Sequence, residues 1–155
     1  MLPATRERVR ENTAEEINQR IRQQTECSVM ESIAGGPKAI ERRLEELDRE
    51  WDIERTLETM APTITLLGLA LGVTKSRKWL VVPAFVQSFF LQHALQGWCP
   101  PIPLLRRLGF RTQDEINEER YALKALRGDF KKLSSRHKDI TTDDRVVDAM
   151  AAVRQ

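Results

Sequence analysis

The stretch Met60–Leu105, MAPTITLLGLALGVTKSRKWLVVPAFVQSFFLQHALQGWCPPIPLL, decides how the rest of the chain is read. Two apolar segments flank the basic knot Lys75-Ser76-Arg77-Lys78. From Thr59 to Thr74 no ionisable side chain occurs in 16 residues, and from Trp79 to Leu105 the only one in 27 residues is His93. An α-helix needs about 17 to 25 apolar residues to cross hydrocarbon roughly 30 Å thick. The second segment meets that requirement and the first approaches it, so the pattern predicts a two-span hairpin in a lipid bilayer. Trp79 and Trp98 are 19 residues apart, about 28 Å of helix, which sets one indole at each interface.

Outward from the hairpin the composition changes. Charged residues make up 31% of the 155-residue chain and are confined to residues 1–58 and 106–155, apart from the loop knot, so an average over the whole chain hides the apolar block. Three segments follow: an N-terminal helical arm (1–58), the hairpin (59–109) and a C-terminal helix with a tail (110–155). Neither arm is expected to bury a sizeable core alone. With 25 Lys and Arg against 23 Asp and Glu, the net charge of +2 gives no field to recruit nucleic acid, and no one-sided basic stripe is present. Two cysteines, Cys27 and Cys99, make no disulfide framework and suit a reducing compartment. The first residues, Met1 to Arg8, lack the apolar core of a cleavable signal, so insertion is expected to use the internal spans.

Helix signals punctuate both arms. Thr13-Ala14-Glu15-Glu16 reads as a capping box opening a helix through Ile17 and Ile21, and on through Val29 and Ile33, until Gly35-Gly36; Pro37 suits the next first turn. Ile40, Leu44, Leu47 and Trp51 recur at steps of 4, 3 and 4, the seam of an amphipathic or coiled-coil helix. Its partner is either a second copy or the helix from Thr112 folding back. Unbroken to Val73, that helix would be about 55 Å long, with Pro62 as a kink point. Beyond the hairpin, Pro100-Pro101-Ile102-Pro103 ends the second span. A short turn closed by Gly109 is expected to put Leu104, Leu105 and Leu108 toward lipid and Arg106 and Arg107 toward headgroups. Thr112-Gln113-Asp114-Glu115 is a second capping box, opening a helix to about Arg127 that carries Ile116, Tyr121, Leu123 and Leu126 and ends at Gly128. Residues 129–141 read as a linker and a last short helix is expected from Asp143. The fold class is therefore all-α, with no repeat and no period-2 strand.

Within the hairpin, Gly68 and Gly72 form a small-xxx-small pair that lets helix backbones approach. Ala84, Ser88, Gln92 and Gln96 recur at steps of four, so one stripe of the second span is small or amide-bearing and is expected in the hairpin interior or a dimer seam. Nine basic residues flank the span ends (Arg42, Arg43, Arg49, Arg55, Arg106, Arg107, Arg111, Arg120 and Lys124) against three in the loop, which predicts cytoplasmic termini.

The run from Phe85 to Pro101, with Gly97-Trp98-Cys99-Pro100 as its most specific part, followed by Leu104-Leu105-Arg106-Arg107-Leu108-Gly109-Phe110, resembles the two-span inner-membrane domain of YgaP-like bacterial proteins. The resemblance covers about residues 52–112. It implies a bacterial inner-membrane hairpin of unassigned function, sometimes fused to a rhodanese sulfurtransferase, and hence a separate sulfurtransferase as a partner here. No rhodanese domain fits before the hairpin, and Cys27-Ser28-Val29-Met30-Glu31-Ser32 lacks the glycine and arginine of that enzyme's anion-cradling loop.

Cys99 is the candidate reactive thiol, since a short helical turn with Arg106 and Arg107 nearby would favour thiolate. The plainer reading is a small residue that permits the turn out of the membrane. His93 lies six residues earlier, about 9 Å along a helix, which suits an interhelical hydrogen bond better than a nucleophile–base pair. Cys27, His93, Cys99 and His137 have no metal-ligand spacing, and no cofactor or catalytic constellation is read. The expected role is non-enzymatic: a self-associating, homodimeric membrane anchor or scaffold. A Cys99 persulfide relay and a soluble helical oligomer that buries the hairpin between subunits are the alternatives.

Overall fold

The computed structural model describes Ala4 and residues 6–130. Among these residues every regular element is helical: α1 (Arg8–Glu11), α2 (Glu15–Ala34), α3 (Pro37–Arg49), α4 (Ile53–Thr74), a 3-10 turn (Arg77–Leu80), α5 (Val81–Gln96), α6 (Ile102–Arg107) and α7 (Gln113–Arg127). The expected linker after residue 130 and the helix from Asp143 lie outside the described residues. The described residues form two compact units that are not consecutive in sequence: those up to Gln24 with Glu50–Ile116, and Thr25–Arg49 with residues 117–130.

The first unit holds α4 and α5 as an antiparallel pair. Thr65 pairs with Gln87 (Nε2 donating to Oγ1, 2.8 Å), Gly68 faces Pro83 and Gly72 faces Leu80, so one helix descends as the other rises. The glycines permit that approach. A Cβ on Gly68 would lie 2.6 Å from Pro83 Cδ, and one on Gly72 would collide with the Leu80 side chain. Asp52 caps α4 by accepting from the Arg55 amide (2.6 Å), and α4 continues through Pro62 without a break. Below the pair, Val9 of α1 inserts among Ile53, Leu57, Cys99, Ile102 and Leu105, flanked by Phe89, Phe90 and Phe110. The chain closes there through Ile53 N–H to Arg111 O (3.0 Å) and a two-bond pair from Arg111 to the Glu50 carboxylate (2.8 and 2.6 Å).

The second unit contains the later part of α2, α3 and the later part of α7. Ile40, Leu44, Leu47 and Leu123 are buried. Arg43 grips the fully buried Glu119 through Nε (2.7 Å) and Nη2 (3.1 Å), and Ser28 donates to the same carboxylate (2.6 Å). Arg120 pairs with Asp48 (2.8 Å). The α3 seam is thus covered within the chain, with α7 folded back across it.

Three expectations change. The long helix stops at Arg49 and restarts at Ile53, because the Asp52 cap begins a new helix. Trp51 therefore leaves the seam and is half exposed, with the Arg55 guanidinium 4.6 Å above its ring. The expected order of the spans also reverses. Pro37–Thr74, which runs through α3 and α4, is the one stretch among the described residues long and apolar enough to cross a membrane, whereas α5 has 16 residues, about 24 Å, because the 3-10 turn precedes it and Gly97 ends it. Finally, the Thr13 hydroxyl donates back to Val9 O (2.7 Å), tying the start of α2 to α1.

Gly68→Val forces Pro83 away from α4 and is expected to destabilise the helix pair by about 1–3 kcal/mol. Denaturant titration of the purified protein in mild detergent, followed by circular dichroism, measures the loss; an unchanged midpoint contradicts the close approach.

Candidate functional site

Cys99 sits where the chain leaves α5. Gly97 adopts φ +77°, its amide donating to His93 O (2.7 Å), and so turns the backbone out of the helix. A Cβ at Gly97 would run into the carbonyl group of Arg8, so this glycine serves both the turn and the seat of α1. Trp98 meets Phe89 edge-on (6.5 Å, 68°). Cys99 itself is 3% exposed, in one buried cluster with Val9, Ile53, Leu57, Ile102 and Leu105, and Ile102 N–H donates to Cys99 O (3.0 Å). It also lines an apolar cavity of about 310 Å³ together with Leu57, Ala61, Ile64, Phe89 and Pro101.

This environment opposes the thiolate expected from the sequence. Burial pushes the Cys99 thiol up, and the Ile102 amide, acting on the sulfur, offsets only part of that. Arg106 supplies no activation either, because it is one of the most deeply buried side chains in the described chain rather than a headgroup ligand. Its two terminal nitrogens donate to Glu115 Oε2 (2.6 Å) and Oε1 (2.8 Å), and further to Phe110 O (3.1 Å) and Asn18 Oδ1 (2.8 Å). Leu105 is buried beside it, so of the expected lipid-facing set only Leu104 and Leu108 point outward, with Arg107 exposed. Burial raises the Glu115 pKa, but the hydrogen bonds from Arg106 and the Thr112 amide, with the charges of Arg106 and Arg10, hold it below the ordinary carboxylate range. The Thr112 box is reciprocal: Thr112 N–H donates to Glu115 Oε2 (2.8 Å) and Glu115 N–H to Thr112 Oγ1 (3.3 Å).

A second polar group lies at the same end of the hairpin. His93 is 3% exposed and neither ring nitrogen has a hydrogen-bond partner, in place of the interhelical bond expected of it. Arg8 approaches Glu54 (Nη2 to Oε1, 3.9 Å) and donates to Ala94 O (3.4 Å), while Arg8 Nε and Glu54 Oε2 are buried without partners. Burial first, with help from Asp52, raises the Glu54 pKa. Asn12 donates to Gln96 O (2.8 Å), occupying a free carbonyl at the end of α5.

Of the other residues singled out in the sequence, Gly68 and Gly72 lie in the α4–α5 seam. Ser88 and Gln96 are exposed and Gln92 is half-buried; it is Gln87, outside that stripe, that reaches across to α4. Trp79 is exposed after the loop and Trp98 half-buried at the opposite end of α5. Cys27 is exposed on α2, and His137 lies outside the described residues. Among the described residues no group of three or more His, Cys, Asp or Glu side chains is placed to hold a metal ion. The N-terminal contribution was not read from the sequence; its one signal is Val9 set between arginines 6, 8 and 10. No family model matches the chain, and comparison with curated proteins and with solved structures finds no match.

Arg106→Ala leaves Glu115 buried and unpaired and is expected to cost about 3–5 kcal/mol. Because the folded Glu115 pKa lies below its ordinary 4.5, the pair's contribution is complete above that value and disappears as pH falls through the folded pKa. Thermal unfolding between pH 6 and 3 should show a falling midpoint, with a shallower fall in Glu115→Gln.

Proposed function

We propose that this chain is an integral membrane protein whose helical hairpin anchors it, as a self-associating scaffold, with its charged helical units on the cytoplasmic face of a bacterial inner membrane. The observation that carries this reading is the outward surface of α4 and α5. Leu66, Leu67, Val73, Phe85, Leu91 and Leu95 are all exposed, on helices that carry no charge between Thr59 and Thr74 or between Trp79 and Gln96 other than what His93 can take up. A monomer in water rarely presents so large an apolar face. The hydroxyls support the same reading, since Thr59, Thr63, Thr74 and Ser88 each donate to the carbonyl four residues back, so none needs a partner from solvent. The 3-10 turn adds about 8 Å to the roughly 24 Å of α5, enough with Trp79 and Trp98 at its ends to match the hydrocarbon thickness. Self-association is assigned to the exposed small residues Ala84 and Ser88 on α5, and the basic residues flanking the hairpin favour the cytoplasmic side for both termini.

The likeness of Gly97-Trp98-Cys99-Pro100 to YgaP-like domains favours the same location. A sulfur relay through Cys99 gains nothing from a thiol that is buried and whose pKa burial raises. The competing reading, a soluble oligomer that buries the hairpin between subunits, makes the opposite prediction in fractionation. Alkaline carbonate washing should leave the protein in the membrane pellet, and Cys99→Ser should pellet equally. Ser88→Cys should cross-link to a second copy in intact membranes. Release into the supernatant by carbonate removes the membrane assignment.

A further inference from the structure

The tip of the hairpin carries a charge that nothing near it answers. α4 ends at Thr74, and Lys75, Arg77 and Lys78 follow at once, all three exposed. None of these side chains makes an ion pair or a hydrogen bond with a described residue. No Asp or Glu occurs between Glu58 and Asp114. Glu58 and Lys75 are separated along α4 by about 25 Å of helix, more than twice the roughly 8 to 10 Å over which an exposed charge is felt at ordinary salt. The helix ends do not supply the missing anion, because the C-terminal carbonyls of α4 and the N-terminal amides of the 3-10 turn and α5 meet at the same end and their opposite partial charges cancel.

The backbone of the turn is closed on itself. The Lys75 and Ser76 amides both donate to Leu71 O (2.9 and 3.2 Å), Trp79 N–H donates to Ser76 O (3.0 Å) and Lys78 N–H to Ser76 Oγ (3.4 Å). Three long cationic side chains therefore leave a fixed turn. On the hairpin side of them, Val73 on α4 and Trp79, Leu80 and Val81 leading into α5 are exposed. Cations outermost, with an indole and aliphatic side chains beneath, follow the order of a phospholipid, whose phosphate lies above its acyl chains; a free anion or a nucleic acid would engage the cations and leave the apolar layer uncovered.

We propose, resting on the membrane reading above and adding a lipid class to it, that the hairpin tip is a binding surface for anionic phospholipid. Lys75, Arg77 and Lys78 hold headgroup phosphates of the leaflet that the tip reaches, and Trp79 rests against the chains below. Those phosphates answer the charge that the chain leaves unbalanced there. Each Lys or Arg brought against an anionic lipid surface strengthens binding about fivefold.

Trp51→Phe together with Trp98→Phe leaves Trp79 as the only indole, since the chain has three tryptophans. The full chain with both changes, reconstituted in vesicles of phosphatidylcholine and phosphatidylglycerol, reports the neighbours of Trp79 through quenching by whichever lipid carries brominated acyl chains. At equal mole fraction, brominated phosphatidylglycerol should quench more than brominated phosphatidylcholine, with a relative affinity of at least about fivefold. Raising sodium chloride, or combining Lys75→Gln, Arg77→Gln and Lys78→Gln, should bring the two lipids to parity, whereas Arg107→Gln on α6 should leave the preference unchanged. Inorganic phosphate should weaken it no more than chloride does at equal ionic strength. Equal quenching by both lipids overturns the proposal and leaves the membrane reading in place. A preference that survives the triple replacement, or that phosphate alone abolishes, overturns the proposal as well. Absence of quenching by either lipid removes the membrane reading together with this one.

Discussion

The Arg106–Glu115 pair is the contact on which the base of the hairpin depends. A guanidinium with no exposed side-chain surface is tolerable only if its charge is matched and most of its protons are used, and here Nε alone is left without a partner. Glu115 answers the charge with two bonds, and Asn18 and Phe110 take further protons. The same carboxylate caps α7 at Thr112 and attracts Arg10, so α1, α2, α6 and the first turn of α7 are all positioned by one acidic side chain. Such a pair contributes little net stability over a well-packed apolar substitute, but it is intolerant of misplacement, and that intolerance fixes how four helices meet.

Above that base the logic is different. Glycine, rather than charge, decides how α4 and α5 meet, and hydroxyls are satisfied along their own helices. One side-chain bond between described residues crosses the pair, from Gln87 to Thr65, and fixes its register. The second unit returns to ionic anchoring: Glu119, fully buried, is held by Arg43 and Ser28. Charge at the base of the helix pair and within the second unit, and small residues between α4 and α5, is a division of labour set by what each environment tolerates.

Much of this was legible in local sequence. The charge-free run located the paired helices, Gly36 and Gly128 stop helices with positive φ, and the Thr112 capping box forms as its spacing implied. The Gly68 and Gly72 seam followed from small residues one turn apart. What was not legible depended on partners distant in the chain. Arg106 looked like a residue for a headgroup because nothing near it in sequence announces Glu115 as a buried partner. Trp51 looked like the fourth rung of a seam because a 4-3-4 spacing outweighed the capping potential of Asp52. Two arginines following Cys99 suggest activation, whereas the thiol is buried in a cluster that includes Val9, 90 positions earlier. The direction of an error is instructive here: neighbours in sequence were read as neighbours in space.

The bonds that finish the base of the hairpin carry a temporal consequence. Arg8 to Ala94, Asn12 to Gln96 and Asn18 to Arg106 span 86, 84 and 88 residues. Closing loops of that length is entropically slow, and none of the three can form until the ribosome has released the end of α5, or, for Asn18, the end of α6. The helix pair is therefore complete while the segment from Arg8 to Asn18, made before it, still waits for its docking site. Assembly must run outward from the paired helices, with a segment made well before them among the last to find its place.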